Sequence, residues 1–296
     1  MLNAFLSLYL TFTNPPNLNQ LPPKLNLPAA YSWDEGNLLQ VSPPPQKTDE
    51  KVAPIIQAKS AIAIDPDSLS ILYAKNMHQK MQIASITKVM TAIIILEEHD
   101  LDEVVTVSQR ASQTGGSKIW LRAGEKMTIR SLLHGLLIAS GNDVAYALAE
   151  HNAGSIEAFV KKMNAKAKLL KLNNTHFDNP IGFDSPENYS TVHDIAFLGI
   201  YAHKKDFIKE IVKQSHYTIT SVDGKHDYNL EATNKLLGGY LNVQGFKTGS
   251  TIKAGLCLMS IAEQNRRRVL TVVLDSPARF TESKVLLDWA YRAYIW

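Results

Sequence analysis

Ser85-Ile86-Thr87-Lys88-Val89-Met90-Thr91-Ala92-Ile93-Ile94-Ile95-Leu96-Glu97-Glu98 is the stretch that decides how this chain folds. Over residues 86–98 the run is apolar on nearly every helical face, so it reads as a helix buried in the middle of the protein. Its Ile-rich centre also fits a strand; the length and the closing Glu97-Glu98-His99 favour helix. At its start Ser85 and Lys88 stand three residues apart, one turn apart on one helical face. A serine hydroxyl is a weak nucleophile until a neighbouring base takes its proton, and this tetrapeptide supplies both groups from one rigid element. The pattern also arises by chance: Ser250-Thr251-Ile252-Lys253 repeats it. What surrounds the first copy gives it meaning.

Upstream, residues 60–65 and 69–74 are short β-prone runs joined by Asp65-Pro66-Asp67-Ser68, a hairpin connection. Downstream, residues 128–139 place Ile129, Leu132, Leu133, Leu136 and Leu137 at helical spacing and halt at Ser140-Gly141-Asn142. Gly141 is expected to end that helix and Asn142 to cap the next, over 143–151. Ser140 and Asn142 then lie on a tight turn facing a cleft. Residues 155–170 read as another helix, and Thr191 with Asp194 fits a capping box for a helix through 202. Strands are expected over 243–248, 255–262 and 269–274, and an amphipathic helix over 279–294. Two strands early, three late and helices between imply an α/β chain of the α+β kind. Its antiparallel sheet of about five strands is built from both chain ends beside a mostly helical lobe, with a cleft where the two meet.

Composition narrows the function. The chain has 296 residues, 45% of them hydrophobic, and a net charge of +3, which suits a sizeable core and gives no support for a nucleic-acid partner. Arg266-Arg267-Arg268 follows Asn265 between two apolar runs and reads as a solvated hairpin turn. Cys257, the only cysteine, sits in an apolar run; it excludes an internal disulfide and a thiolate metal cluster. The nine histidines form no His-Glu-x-x-His run or comparable cluster, so no metal and no cofactor are expected. Residues 1–12 are mostly apolar but too few to span a bilayer as a helix. They suit a signal segment, although no basic residue precedes them. Residues 13–54, with Pro15-Pro16, Pro22-Pro23 and Pro43-Pro44-Pro45, read as an extended linker. The catalytic domain is expected over 55–296.

Three polar signals thus stand in order: Ser85-Ile86-Thr87-Lys88, Ser140-Gly141-Asn142 and Lys247-Thr248-Gly249, the last at the end of a strand. A trio of this plan marks the penicillin-interacting serine enzymes. The chain resembles the D-alanyl-D-alanine carboxypeptidase family, the low-molecular-mass penicillin-binding proteins, whose middle motif is Ser-Gly-Asn. Gly116-Ser117-Lys118-Ile119-Trp120-Leu121, then Phe177-Asp178-Asn179-Pro180-Ile181-Gly182-Phe183-Asp184 with Tyr189-Ser190-Thr191, and Leu286-Leu287-Asp288-Trp289 extend the likeness over residues 59–294.

That resemblance implies a penicillin-binding-protein transpeptidase-like, β-lactamase-like fold and a serine peptidase acting on peptidoglycan stem peptides, with β-lactam antibiotics as covalent inhibitors. Ser85 would be the nucleophile and Lys88 its base. Ser140 would relay a proton to the leaving D-alanine, and Asn142 would hold the substrate amide or orient the lysines. Lys247 and Thr248 would bind the terminal carboxylate, and Gly249 would let substrate approach the strand. The backbone N–H groups of Ser85 and Ser250 would hold the oxyanion. The resemblance also implies action outside the cytoplasmic membrane, with any attachment through the N-terminus. Other readings stay open: a D,D-endopeptidase using the same residues, a catalytically silent wall-binding protein, or a β-lactamase. The last needs a deacylating glutamate, for which Glu157 and Glu187 are the candidates.

Overall fold

The structure, a computed structural model, describes residues 42–48 and 51–296. The apolar segment 1–12 and most of the Pro-rich stretch lie outside the described residues. In chain order the elements are β1 (Gln46–Lys47), β2 (Ser60–Ile64), β3 (Ile71–Lys75), a 3-10 turn (Ala84–Thr87), α1 (Lys88–Glu98), β4 (Val104–Thr106), α2 (Gln109–Ser112) and β5 (Lys126–Thr128). Then follow α3 (Ile129–Leu137), α4 (Asn142–Ala153), α5 (Ile156–Leu169), α6 (Val192–His203), α7 (Asp206–Val212), β6 (His216–Thr220), β7 (Asp227–Glu231), β8 (Val243–Thr251), β9 (Gly255–Gln264), β10 (Arg267–Leu274), α8 (Arg279–Ala293) and β11 (Tyr294–Ile295).

The expected sheet is there: five antiparallel strands in the order β3-β2-β10-β9-β8. Every residue of β2 is buried, because both faces of the sheet are covered and side chains alternate between them. Ala61, Leu258 and Val273 pack with Leu286 of α8, and Ala63 and Val269 with Leu287 and Ala290. Their strand neighbours Met259 and Leu270 meet α6 at Gly199, where a Cβ would lie 2.4 Å from Met259 Sδ and 3.0 Å from Leu270 Cδ1. Glu282 of α8 accepts from Ala58 N at 3.1 Å and from the Ser276 hydroxyl, tying the segment that leads into β2 to the last helix. Gln46–Lys47 pair with Tyr294–Ile295 as a further two-residue ladder.

In chain order the helical lobe comes between the first two strands of the sheet and the last three, with α1 at its centre. Residues Lys88 to Ile95 are all buried, as the all-round apolar sequence requires. The hairpin turn between β9 and β10 has Asn265 at φ 51° and Arg266 at φ 64°, the pair of positive angles of a two-residue type I′ turn. Arg268 is held by Asp67, so the arginine triplet is a turn and its flank, as expected.

Local geometry corrects the sequence reading in two places that matter for the site. Ser85 precedes the α-helix and lies in the 3-10 turn, entered through Ala84 at φ 47°. With three residues per turn, positions i and i+3 eclipse, which brings Ser85 and Lys88 closer than an α-helical face does. The second correction concerns Ser140-Gly141-Asn142. Ser140 carries the left-handed backbone, at φ 62°, while Gly141 is the N-cap and Asn142 the first residue of α4. Gly141 is required for space: a Cβ there would lie 2.8 Å from Val144 Cγ2 and 2.9 Å from Asp143 Oδ1.

Candidate active site

The Lys88 amine is the hub. Its Nζ donates to Ser85 Oγ at 2.8 Å, to Asn142 Oδ1 at 2.7 Å and to the Ile181 carbonyl at 2.9 Å. Three acceptors use all three donor positions of the ammonium form; as a free amine it can instead accept the Ser85 proton. Burial, first, and the nearby Lys247 charge hold the amine well below the ordinary lysine range, against the opposing pull of the Asp143 carboxylate. Lys247 is itself buried, and burial followed by the Arg279 charge pushes it down to about 7. Two neighbouring lysines thus stand where one can be neutral and the other charged.

Each hub contact comes from a different element. Asn142 opens α4, and its Nδ2 donates to the Gly115 carbonyl at 2.7 Å. Asp143, fully buried, accepts from the backbone N–H groups of Ile119, Trp120 and Leu121 at 3.3, 2.8 and 3.0 Å. The start of α4 therefore anchors the 115–121 strap along the site. On the opposite side, Asn179 Oδ1 accepts from the N–H of Ile181, Gly182 and Phe183, curling that loop into a tight turn. Thr91 fixes it to α1 through the Pro180 carbonyl at 2.8 Å. Gly182, at φ 87°, passes so close that a Cβ would lie 1.9 Å from the Ala84 carbonyl oxygen. This loop presents Ile181 O to Lys88.

The third side is β8, the edge strand of the sheet. At Gly249 a Cβ would lie 2.9 Å from both Ala84 Cβ and Ile83 O, and 3.1 Å from Ser85 N. The glycine thus admits the turn carrying the nucleophile against the strand, where the sequence reading assigns the space to substrate. Arg279 Nη1 donates to the Gly249 carbonyl at 2.7 Å from behind. Thr248 Oγ1 donates to Thr233 Oγ1 at 2.6 Å, and Ser250 is exposed at the strand end. Ser140 is buried beside Asn142, and among the described residues its hydroxyl makes no hydrogen bond. The structure thus joins Ser85, Lys88 and Asn142 directly, sets Lys247 and Gly249 against them, and leaves the hydroxyls of Ser140 and Ser250 unengaged. A cavity of about 470 Å³ lined by Gln109, Arg110, Gln113, Thr114, Gly115, Tyr146 and Phe183 adjoins the strap.

Other candidates fall away from this site. In the second copy of the tetrapeptide pattern, Ile252 is 96% exposed in the turn after β8. Glu157 lies in the first turn of α5 facing Arg110, and Glu187 is exposed; neither hydrogen-bonds to Ser85 or Lys88. The sequence reading gives Asp143, Asn179 and Arg279 no part in the site. Their hydrogen bonds hold backbone, and Asp143 and Arg279 also act by charge on Lys88 and Lys247; neither task leaves a chemical motif in the sequence.

Comparison with known proteins gives the same picture. The family model for D-alanyl-D-alanine carboxypeptidase matches residues 46–278. The carboxypeptidase DacF of Bacillus subtilis is 38% identical over 80% of this chain and 63% of its own length. DacC of Escherichia coli is 35% identical over 82% of this chain and 63% of its own length, so the chain spans less than two thirds of these two relatives. A solved structure, the crystal structure of the Streptomyces K15 DD-transpeptidase, superposes with a TM-score of 0.77 at 32% identity, covering 81% of this chain and 99% of that one. With the trio assembled around Lys88 and a match that runs through most of the folded part, this chain belongs to the D-alanyl-D-alanine carboxypeptidase family.

Proposed function

We propose that the protein is a serine D-alanyl-D-alanine carboxypeptidase that removes the terminal D-alanine of peptidoglycan stem peptides. The observation that carries this reading is the 2.8 Å contact between Lys88 Nζ and Ser85 Oγ, made by an amine whose burial favours its neutral form. Ser85 Oγ attacks the carbonyl between the two D-alanines as its proton passes to Lys88. The N–H groups of Ser85 and Ser250 hold the oxyanion, each such donor contributing about 2.7–4 kcal/mol. Lys247 and Thr248 receive the terminal carboxylate. Ser140 passes a proton to the departing amine, and water then hydrolyses the acyl-enzyme. A β-lactam enters the same path and stays on Ser85. Because peptidoglycan lies outside the cytoplasmic membrane, the site works there. Among the described residues no helix is long and apolar enough to cross a membrane.

Labelling with a fluorescent penicillin tests the nucleophile. The wild-type chain is expected to take one covalent label, and Ser85→Ala none; an unlabelled wild type, or a labelled variant, refutes the assignment. Incubation with a stem pentapeptide and with a cross-linked dimer then tests the reaction: release of D-alanine from the pentapeptide is expected, and cleavage of the dimer alone would replace carboxypeptidase by endopeptidase.

A further inference from the structure

Three metal-ligating side chains meet at the ends of α1 and α4 remote from the catalytic groups. His99 caps the C-terminal end of α1, Glu103 stands just before β4, and His151 lies in the last turn of α4. His99 Nδ1 is 2.8 Å from Glu103 Oε2, and His151 Nε2 is 2.7 Å from Glu103 Oε1. The two imidazole centroids are 5.2 Å apart, and one ligand atom from each of the three residues lies within 4.8 Å of the others. Their side chains are 14%, 39% and 24% exposed, so an ion has access and water can complete its shell.

We propose that His99, Glu103 and His151 form a structural site for a divalent cation of the Zn²⁺ class, which staples the far ends of the two helices that carry the catalytic residues. Two imidazole nitrogens and a carboxylate oxygen are the donor set such ions take, at about 2.0–2.2 Å, with a tetrahedral arrangement setting the ligand atoms about 3.4 Å apart. The present spacings need only a small opening to admit an ion. Coordination uses the nitrogen lone pairs facing Glu103, so each neutral ring carries its proton on the other nitrogen. On His99 that nitrogen is Nε2, now 2.9 Å from Asn152 Nδ2. The Oδ1 of the same amide is buried without a partner. With the amide turned over, Oδ1 accepts the Nε2 proton, the outer-shell contact that fixes a metal-bound imidazole. The same turn would set Oδ1 against Glu98 Oε2, which Asn152 Nδ2 now contacts at 2.9 Å, so the Glu98 carboxylate has to swing away from it toward Lys162, its partner at 2.6 Å.

The linear sequence hides this site. Its ligands come from a helix end, a loop and a second helix, with 47 positions between Glu103 and His151, so no short motif announces it. Eleven residues of α1 at 1.5 Å each put the site about 16 Å from Lys88 along the helix. The ion is therefore structural, outside the reaction.

The test uses the whole chain, stripped with a chelator and titrated with Zn²⁺ and with Co²⁺. One equivalent is expected to bind. The Co²⁺ form should show the intense visible absorption of a four-coordinate site, and Tm should rise by about 5–10 °C at a hundredfold excess over Kd. Glu103→Gln and His151→Gln should each weaken binding by about 100-fold or more, with penicillin labelling of Ser85 unchanged. Glu103→Gln keeps a side chain of the same size that can still hydrogen-bond, and its metal-free Tm reports whether the fold persists. A zinc-edge anomalous map of the wild type locates the ion without any variant. No binding by the wild type, unaltered binding by both variants, or an ion found elsewhere overturns the proposal.

Discussion

At the scale of single residues, the chemistry rests on making an amine basic enough to be useful and too poorly solvated to stay charged. Lys88 meets that condition through burial and through Lys247. The spacing of Ser85 and Lys88 is legible in the sequence; the depressed pKa is not, because it depends on what encloses the amine. The free amine is the active form, so acylation should accelerate as pH rises through the lowered Lys88 pKa. It should slow again above about 7, where Lys247 loses the charge that holds a carboxylate. Such a bell reports the two groups together. Lys88→Ala should reduce the acylation rate by about 10²–10⁴-fold and abolish the rising limb. Stopped-flow penicillin acylation across pH reads both effects, with near-ultraviolet circular dichroism as the check on fold. A variant that unfolds would mark Lys88 as a structural residue; one that acylates normally would remove it from the mechanism.

The elements show why the sequence reveals the catalytic groups but not their supports. Long apolar runs announce α1, α3 and the strands β2, β9 and β10 because each buries a face or both faces; β8, with Val243 and Phe246 as its only large apolar residues, is not such a run. The hairpin β6–β7 escapes a sequence reading because only Ile219 and Leu230 of its ten residues are buried, which leaves no alternation to see. β4 and β5 are three residues each, too short for a period. Asp143 illustrates the same limit at the active site: it looks like an ordinary acidic residue in a helix's first turn, yet its carboxylate holds three backbone donors of the 115–121 strap. Asp143→Ala should therefore cost about 2–4 kcal/mol, the penalty for stranding buried donors. It should also slow acylation, since Asn142 and the strap are set by the same turn of α4. Urea unfolding and penicillin labelling on one preparation measure the two losses. A stable variant with slow labelling would mean that Asp143 places Asn142 and the strap without carrying the stability of the fold, and one unchanged in both would leave the strap held by other contacts.

Across the whole molecule, a sheet closed by both chain ends places β8 next to the start of α1, and that juxtaposition puts Lys247 against Lys88. The sheet is legible because most of its strands are apolar runs with clear turns; the closeness of two buried lysines is not, since they are 159 positions apart in the sequence. Burying them has a consequence for stability. In the unfolded chain a lysine keeps its proton up to about pH 10.4. In the folded protein Lys247 releases it near 7, and Lys88 is shifted in the same direction. Above about 7 the unfolded state thus binds more protons than the native state, and stability rises with pH. For Lys247 the slope is about 1.4 kcal/mol per pH unit. Cys257 opposes it from about 9 upward, because its thiol ionises in the unfolded chain but is pushed up to about 12 when buried. The window for the gain is therefore about pH 7 to 9, where Tm should climb by several degrees instead of declining from neutrality. Lys247→Met, apolar and of similar length, should flatten that climb while raising stability at pH 7, where the buried charge no longer has to be neutralised on folding. Differential scanning calorimetry of both proteins at half-unit pH steps gives the answer. An equal slope in the variant would mean that Lys247 keeps its proton in the fold and that Lys88, next to a full positive charge, carries the gain alone; a flat wild-type profile would mean that neither lysine releases its proton there.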